Sequence, residues 1–515
     1  MSETLGAFLD SAAARGAGRE ALAHAPRDAV TARLTWTELR EASRLAARRL
    51  VAAGAGKGTR VGLLCSNRLE WLPLAFGALR IGAVLVPLST LWKRDEIAYA
   101  LRHAQVEILL MLAGFRGHDY VAALAEISRD LPALRRVVLL DGDAAGIDRW
   151  SALSADTSDA TLDALERAVT SADIATIFFT SGTTAQAKAV VHAHGALTTS
   201  ARRIADCVGI GPDDSWWGHM PLFWSGGFIL GALATMAGGG RIVLQEIVEA
   251  GSALILLERE RMTVMAGWHQ AGPLLEHPDF GRRRLQLRKG SWHPLAPRLL
   301  GRDHSAVGMY GMSETATCVS CARFDDPEPI RTTTAGRPLA GMEIRILDPE
   351  TRRPVAAGEP GEILVKGPTL MQGYLGVPRA ETFDADGFFR TGDQGWIDAD
   401  GCLHFGIRLK DVIKTAGVNV AAVEVEEALA SHPAVRAAHV VGVSHPTRGE
   451  NVAAFVVLAP GATASVDDLT AFCRERLAAY KVPRHLFVIA ESDVPRTASG
   501  RVEKATLRRR AEAHL

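Results

Sequence analysis

Three features of the sequence predict an α/β fold. Through the N-terminal part, segments with apolar residues at helical spacing alternate with short, continuously apolar runs, the pattern of parallel sheets wrapped by helices. From about residue 330 to 407, β-branched residues alternate with turn pairs, which reads as antiparallel or barrel-like β structure. Residues 421–515 then return to mixed helices and strands, near the modal size of one domain.

The elements follow in order. Residues 1–14 are amphipathic, with Glu3 and Asp10, and lack the basic start and apolar stretch of a secretory signal. Residues 34–54 predict a helix: Thr35 is the N-cap, Glu38 completes a capping box, and Gly54 is the stop. A buried strand is expected at 60–65, a helix at 69–80 and a strand at 83–87. A further helix–strand pair is expected at 93–103 and 106–112. Beyond residue 341 the turn pairs Asp348-Pro349, Gly358 to Gly361 and Gly367-Pro368 punctuate the β region. The C-terminal part predicts a helix at 423–431, strands at 437–443 and 452–458, a helix at 466–479 and a basic tail. No repeat of 20–50 residues is present, which excludes solenoids.

Composition narrows the function by exclusion. With 58 Lys plus Arg against 58 Asp plus Glu, the 515-residue chain has no basic excess for nucleic acid or anionic membrane. The longest apolar runs, such as 228–237, are too short to span a bilayer. Six cysteines are too few for a disulfide framework; Cys318-x-x-Cys321 has no second pair at zinc spacing, so ordinary thiols are expected. A cytoplasmic enzyme, monomer or homodimer, acting on a small molecule is the expectation.

The chemistry concentrates in residues 174–191, IATIFFTSGTTAQAKAVV. An apolar strand runs into Thr180-Ser181-Gly182-Thr183-Thr184 and then Lys188. Hydroxyl and backbone donors beside a lysine suit a polyphosphate, which needs many donors and a counter-charge together. Two other nucleotide motifs fail: Gly54 to Gly58 lacks the spacing and hydroxyl of a Walker loop, and no strand–GxGxxG–helix pattern occurs. Tyr310-Gly311-Met312-Ser313-Glu314-Thr315 adds a ring, a hydroxyl and a carboxylate able to hold Mg²⁺ on phosphate. Phe389-Arg390-Thr391-Gly392-Asp393 places an acid after a tight turn. Arg408-Leu409-Lys410-Asp411 through Gly417 forms a charged junction.

In this order and at these separations the motifs resemble the ANL adenylate-forming superfamily of acyl-CoA synthetases, nonribosomal adenylation domains and firefly-type luciferases. The resemblance runs from Leu34-Thr35-Trp36 to Pro495-Arg496-Thr497-Ala498-Ser499-Gly500. It implies a large N-terminal domain (1–407) of two βαβ-type sheets plus a small β-barrel, and a small mobile α+β C-terminal domain (408–515). It further implies conversion of a carboxylic acid and ATP into acyl-AMP, then transfer to a thiol such as CoA. By resemblance, Thr180, Ser181, Gly182, Thr183, Thr184 and Lys188 hold the β- and γ-phosphates. Tyr310, with Gly311, packs on adenine, Ser313 meets the α-phosphate or substrate oxygen, and Glu314 holds Mg²⁺. Asp393 and Arg408 grip the ribose, Lys410 is the hinge, and Gly417 lies toward the pantetheine path. Trp224, Gly226, Gly227, Trp268, Gly311 and Met312 line the acyl pocket.

The sequence also departs from that family. The usual TSGTTGxPKG has Ala185, Ala187 and Ala189 in place of Gly, Pro and Gly, a cost of order 1 kcal/mol wherever φ is positive. Residues 291–297 replace the glycine-rich adenine cover. Arg501 stands where the family's catalytic lysine follows Ser-Gly, with Lys504 three residues on as the alternative catalytic cation. Three readings therefore remain open: an acid–CoA ligase using Arg501; a member activating another oxyanion, such as nitrite for diazotisation of an aryl amine; and a member that keeps the fold without adenylating. Trp224, Trp268 and Trp292, with His269 and His293, are either an aryl pocket or core aromatics. The arginines at 282–284 and 508–510 read as solvated helix faces.

Overall fold

The computed structural model describes residues 3–180, 187–301, 303–348, 351–408, 412–495 and 502–515. The first helix after the N-terminal segment, Trp36–Ala52, starts at the expected capping box: the Thr35 hydroxyl accepts from the Glu38 amide, and the Glu38 carboxylate accepts from the Thr35 amide. Helices Trp71–Arg80 and Arg94–His103 alternate with strands Arg60–Leu64, Val84–Leu88 and Ile108–Met111.

Those strands form the centre of an eight-stranded sheet, and they pair in parallel because the helices carry the chain back to the same end of the sheet. Ile174–Thr180 joins them in parallel and then turns back through an antiparallel hairpin into Lys188–Ala193, with Thr180 opposite Lys188. The short strand Gly373–Tyr374 adds to the hairpin's outer edge. A second sheet of six strands is built on Ser215–Gly218, Arg241–Gln245 and Glu20–Ala25, again parallel at its centre.

The two sheets share a core in which Phe228 meets Trp71, Phe76 and Phe178 at ring-centroid distances of 5.3, 6.4 and 6.4 Å. The apolar run at 228–237 is helical and opens as a π-helix, Gly226–Leu233. Gly231 is required there, since a Cβ would sit 2.1 Å from the Trp216 ring.

The β-rich stretch forms a four-stranded antiparallel sheet of Glu343–Leu347, Gly361–Lys366, Phe389–Ile397 and Leu403–Arg408. Its last strand is tied by Leu403 to Ala335 and Gly336, next to a three-stranded sheet carrying Met309–Tyr310. The C-terminal residues form a five-stranded sheet on the long hairpin Val435–His445 and Gly449–Leu458, covered by helices Ala422–Ala430 and Val466–Arg476. The basic tail is the helix Lys504–Glu512, docked through the buried Leu507 and Ala511, with Arg509 and Arg510 exposed and Arg508 paired to Glu450 and Glu512. All six cysteines are buried free thiols. Among the described residues no helix is long and apolar enough to cross a membrane.

Because Phe228 is fully buried among three rings, Phe228→Ala should lower unfolding free energy by about 3–5 kcal/mol. A drop in urea midpoint at unchanged m-value is the expected reading.

Candidate active site

The hairpin and the sequence motifs converge on one edge of the eight-stranded sheet. Lys188 points its ammonium over the Tyr374 ring, 4.7 Å from the centroid. The Tyr374 hydroxyl donates to Glu314 Oε1 at 2.7 Å. The neighbouring Ser313 hydroxyl lies 2.7 Å from that of Ser225, at the start of the π-helix. Lysine, carboxylate and hydroxyl are thus linked through two residues to which the sequence assigns no role, Tyr374 and Ser225.

A third such residue holds this group from behind. His192, fully buried in the strand after the phosphate loop, lies 2.6 Å through Nε2 from the Ser313 carbonyl. Burial pushes its pKa down to about 4, so the ring is neutral near pH 7 and Nε2–H donates. Among the described residues its Nδ1 has no hydrogen-bond partner. The turn after Ser313 is strained: Ala316 and Thr317 both take left-handed φ, +47° and +75°. It persists because Ser200 Oγ donates to the Ala316 carbonyl at 2.6 Å and Thr315 Oγ1 accepts from the Met312 amide at 3.0 Å.

On the other side of the turn, the Tyr310 hydroxyl donates to Asp393 Oδ2 at 2.8 Å, and both side chains are buried. One face of the Tyr310 ring is covered by Phe405, at 5.5 Å and 25°. The backbone of Arg408 pairs opposite Asp393 in the antiparallel ladder. Sequence-distant Tyr310, Asp393 and Arg408 are therefore brought together.

Between the hairpin and the turn lies a cavity of about 300 Å³. Trp92, Phe178, Phe179, Met220, Phe223, Trp224 and Leu230 make its apolar wall. Thr180, Ser225, Ser313 and Thr317 give it a polar lining, beside Ala187, Gly311 and Met312. Of the residues the resemblance assigns to an acyl pocket, Trp224, Gly226, Gly311 and Met312 line this cavity, and Gly227 and Trp268 do not. A Cβ on Gly227 would meet the Pro221 carbonyl at 2.0 Å, so this glycine serves backbone packing. Trp268 turns away to donate Nε1–H to Ser291 and stack on His293 at 4.9 Å. Residues 417–419, Tyr480 and Lys481 close the cavity from the C-terminal part.

Lys504 does not line this cavity; its ammonium is 2.9 Å from Glu426 on helix Ala422–Ala430. Ala187 and Ala189 do not take positive φ, and Ala189 sits in the ladder opposite Phe179, so the strain expected at these two alanines is absent. Ser181, Gly182, Thr183, Thr184, Ala185, Lys410 and Arg501 lie outside the described residues. Among the described residues no group of three His, Cys, Asp or Glu side chains is placed to hold a metal.

Comparison with known proteins follows the same outline. The family model described as AMP-binding enzyme matches residues 9–375, and that for the AMP-binding enzyme C-terminal domain matches residues 424–501. The chain is 34% identical to feruloyl-CoA synthase of Amycolatopsis sp, over 93% of this chain and 94% of the relative. Its fold is similar to the amide bond synthetase McbA from Marinactinospora thermotolerans, with TM-score 0.82, 29% identity and 99% of each chain covered. It is also similar to o-succinylbenzoate CoA synthetase from Bacillus subtilis, with TM-score 0.78, 27% identity and 97% of each chain covered.

The buried imidazoles fix a pH dependence. His192, His194 and His269 are all held down to about 4 by burial, whereas the unfolded chain takes up these protons near 6.5. The unfolded state therefore binds more protons as pH falls from 6.5 to 4, and stability declines over that window. His192 alone accounts for about 2–3 kcal/mol at pH 4. Urea unfolding at pH 7 and pH 4.5 should show a smaller loss in His192→Gln than in the wild type.

Proposed function

The chain belongs to the AMP-binding enzyme family, and from that premise we propose that it joins an apolar or aromatic carboxylic acid to CoA through an acyl-AMP intermediate. The observation that carries the substrate class is the cavity: rings and aliphatic groups on its wall, with Ser313 and the phosphate-loop hairpin in its polar lining.

In this reading the acid carboxylate lies against Ser313 and attacks the α-phosphorus of ATP, expelling pyrophosphate. Thr180 and Lys188, with Ser181, Gly182, Thr183 and Thr184, take the β- and γ-phosphates. Tyr310 packs on adenine beside Gly311, and its bond to Asp393 holds the ribose acid in register with the base. Arg408, opposite Asp393, completes the ribose grip, and Lys410 serves as the hinge. A thiol then attacks the acyl carbon, the bond to the phosphate oxygen breaks, and AMP leaves.

A magnesium ion fits the donor set as a passenger of the nucleotide, since Mg²⁺ is commonly held by one or two carboxylates plus phosphate oxygens. Glu314 would hold it, with Oε1 already accepting from Tyr374, and the ion would neutralise phosphate charge. Arg501 supplies the cation for the charge that builds at the α-phosphate. Its wide planar fork fits that place less tightly than an ammonium. Lys504, engaged with Glu426, is the lesser candidate.

Pyrophosphate release over a panel of acids checks the reading. Aryl and medium-chain monocarboxylates should give pyrophosphate and, with CoA, thioester. Chain-matched dicarboxylates should be at least about tenfold poorer, because the second carboxylate would meet an apolar wall. Arg501→Lys should raise pyrophosphate release about tenfold, the equivalent of one pKa unit of interaction energy. No pyrophosphate from any acid would overturn the assignment, and an amide product with an added amine in place of CoA would reassign the acceptor.

A further inference from the structure

Lys481 carries its charge into a nearly dry position. Its side chain is 4% exposed, and its ammonium lies 2.7 Å from Glu96 and 2.6 Å from Glu424. The two carboxylates come from different hydrophobic cores. Ile97 and Leu101, beside Glu96 on helix Arg94–His103, pack into the core of the N-terminal sheets. Val425 and Leu429 attach the Glu424 helix to the C-terminal sheet, and Leu477 and Val482 attach the Lys481 segment to the same core. The Lys481–Glu424 pair is therefore internal to the C-terminal part, whereas Glu96–Lys481 crosses between the two.

The crossing pair has physical consequences because all three groups have given up water. Desolvating an ion costs several kcal/mol unless its partners close on it. Burial disfavours charge on Lys481, but Tyr480, Glu96 and Glu424 outweigh it and hold the ammonium above the ordinary lysine range. Separation of the two parts would expose Glu96 and leave Lys481 with one of its two carboxylates.

The surrounding contacts are also close. Gly417 has φ +80°, and a Cβ there would lie 2.9 Å from His269 Cβ. A Cβ on Gly272 would lie 2.6 Å from Thr447 Cβ. Lys481, Tyr480 and residues 417–419 are themselves wall residues of the acyl cavity.

We propose that the Glu96–Lys481 ion pair is the positioning contact that shuts the acyl cavity, holding residues 417–419 over it and keeping water from the activated acyl group. The inference rests on the acyl-AMP reading given above. Water that reaches the intermediate adds its oxygen to the acyl carbon. The carbon–oxygen bond to phosphate breaks, and acid and AMP leave with a proton to solvent. A shut cavity leaves that carbon to the thiol. Glu96 thus governs how faithfully each adenylate becomes thioester, while touching neither nucleotide nor acid.

Glu96→Gln tests this, because glutamine keeps the side-chain shape and the cap on the Lys93 amide but removes the charge. Two quantities are read: AMP formed per thioester, and hydrogen exchange of residues 417–421 in the ligand-free protein. In Glu96→Gln, AMP per thioester should rise at least threefold. Exchange at 417–421 should quicken at least tenfold, with strands Val435–His445 and Gly449–Leu458 unchanged. Glu424→Gln, which leaves the crossing pair in place, should keep the AMP-to-thioester ratio within twofold of wild type. An unchanged ratio and unchanged exchange in Glu96→Gln, or equal uncoupling in Glu424→Gln, would overturn the proposal. Should the wild type form no AMP from any acid, the acyl-AMP reading fails by itself. Hydrogen exchange then decides the positioning role: faster in Glu96→Gln supports it, equal exchange overturns it.

Discussion

The hydrogen bond from the buried His192 ring to the Ser313 carbonyl joins the phosphate-loop hairpin to the turn that carries Ser313 and Glu314. Much of the site's geometry depends on it. The hairpin is fixed to the eight-stranded sheet by its ladder, so whatever is bonded to the hairpin inherits the rigidity of that sheet. The turn has two left-handed, non-glycine residues and would relax if free. Held by His192 on one side and Ser200 on the other, it presents the Ser313 hydroxyl toward the cavity and the Glu314 carboxylate toward Tyr374 and Lys188. Donors set in place before a ligand arrives cost no reorganisation during reaction, the condition for electrostatic stabilisation of a phosphoryl transition state.

Charge is arranged by the same logic. The chain has equal numbers of basic and acidic residues. From the sequence, a local concentration of Lys188, Arg408, Lys410, Arg501 and Lys504 could be expected to gather in one cleft. The structure divides the cations it describes among different partners. Lys188 lies against Tyr374 beside Glu314, Lys504 is engaged by Glu426, and Lys481 is enclosed by two carboxylates. Rings and aliphatic groups make most of the cavity wall, and Lys481 in that wall is already engaged by its two carboxylates, which suits a neutral organic group better than a second charge.

How much of this was legible in the sequence depends on the range of the interaction. Local signals are legible: the Thr35–Glu38 capping box and the alternation of helix and strand depend on residues close in the chain. The family resemblance carried long-range information as well, and it set Tyr310 and Asp393 near each other before any coordinates. What periodicity and motif could not reach were contacts made once, between distant segments. His192, Tyr374 and Lys481 have no role that the sequence assigns, because each makes its contact with a distant segment. Only the pairing of Gly373–Tyr374 with the hairpin and the meeting of two cores reveal their partners. Trp268 and Gly227, which the resemblance assigns to the acyl pocket, pack instead against Ser291 and the Pro221 carbonyl, contacts that a positional match does not carry.

The most direct test of the central claim is a crystal structure with a non-hydrolysable acyl-sulfamoyl adenosine bearing an aryl group. The account predicts adenine against Tyr310, ribose hydroxyls at Asp393 and the sulfamate beside Ser313. The aryl ring should lie among Phe179, Met220 and Trp224. An analogue bound with its aryl group outside this cavity, or with the nucleotide away from Tyr310 and Asp393, would contradict it.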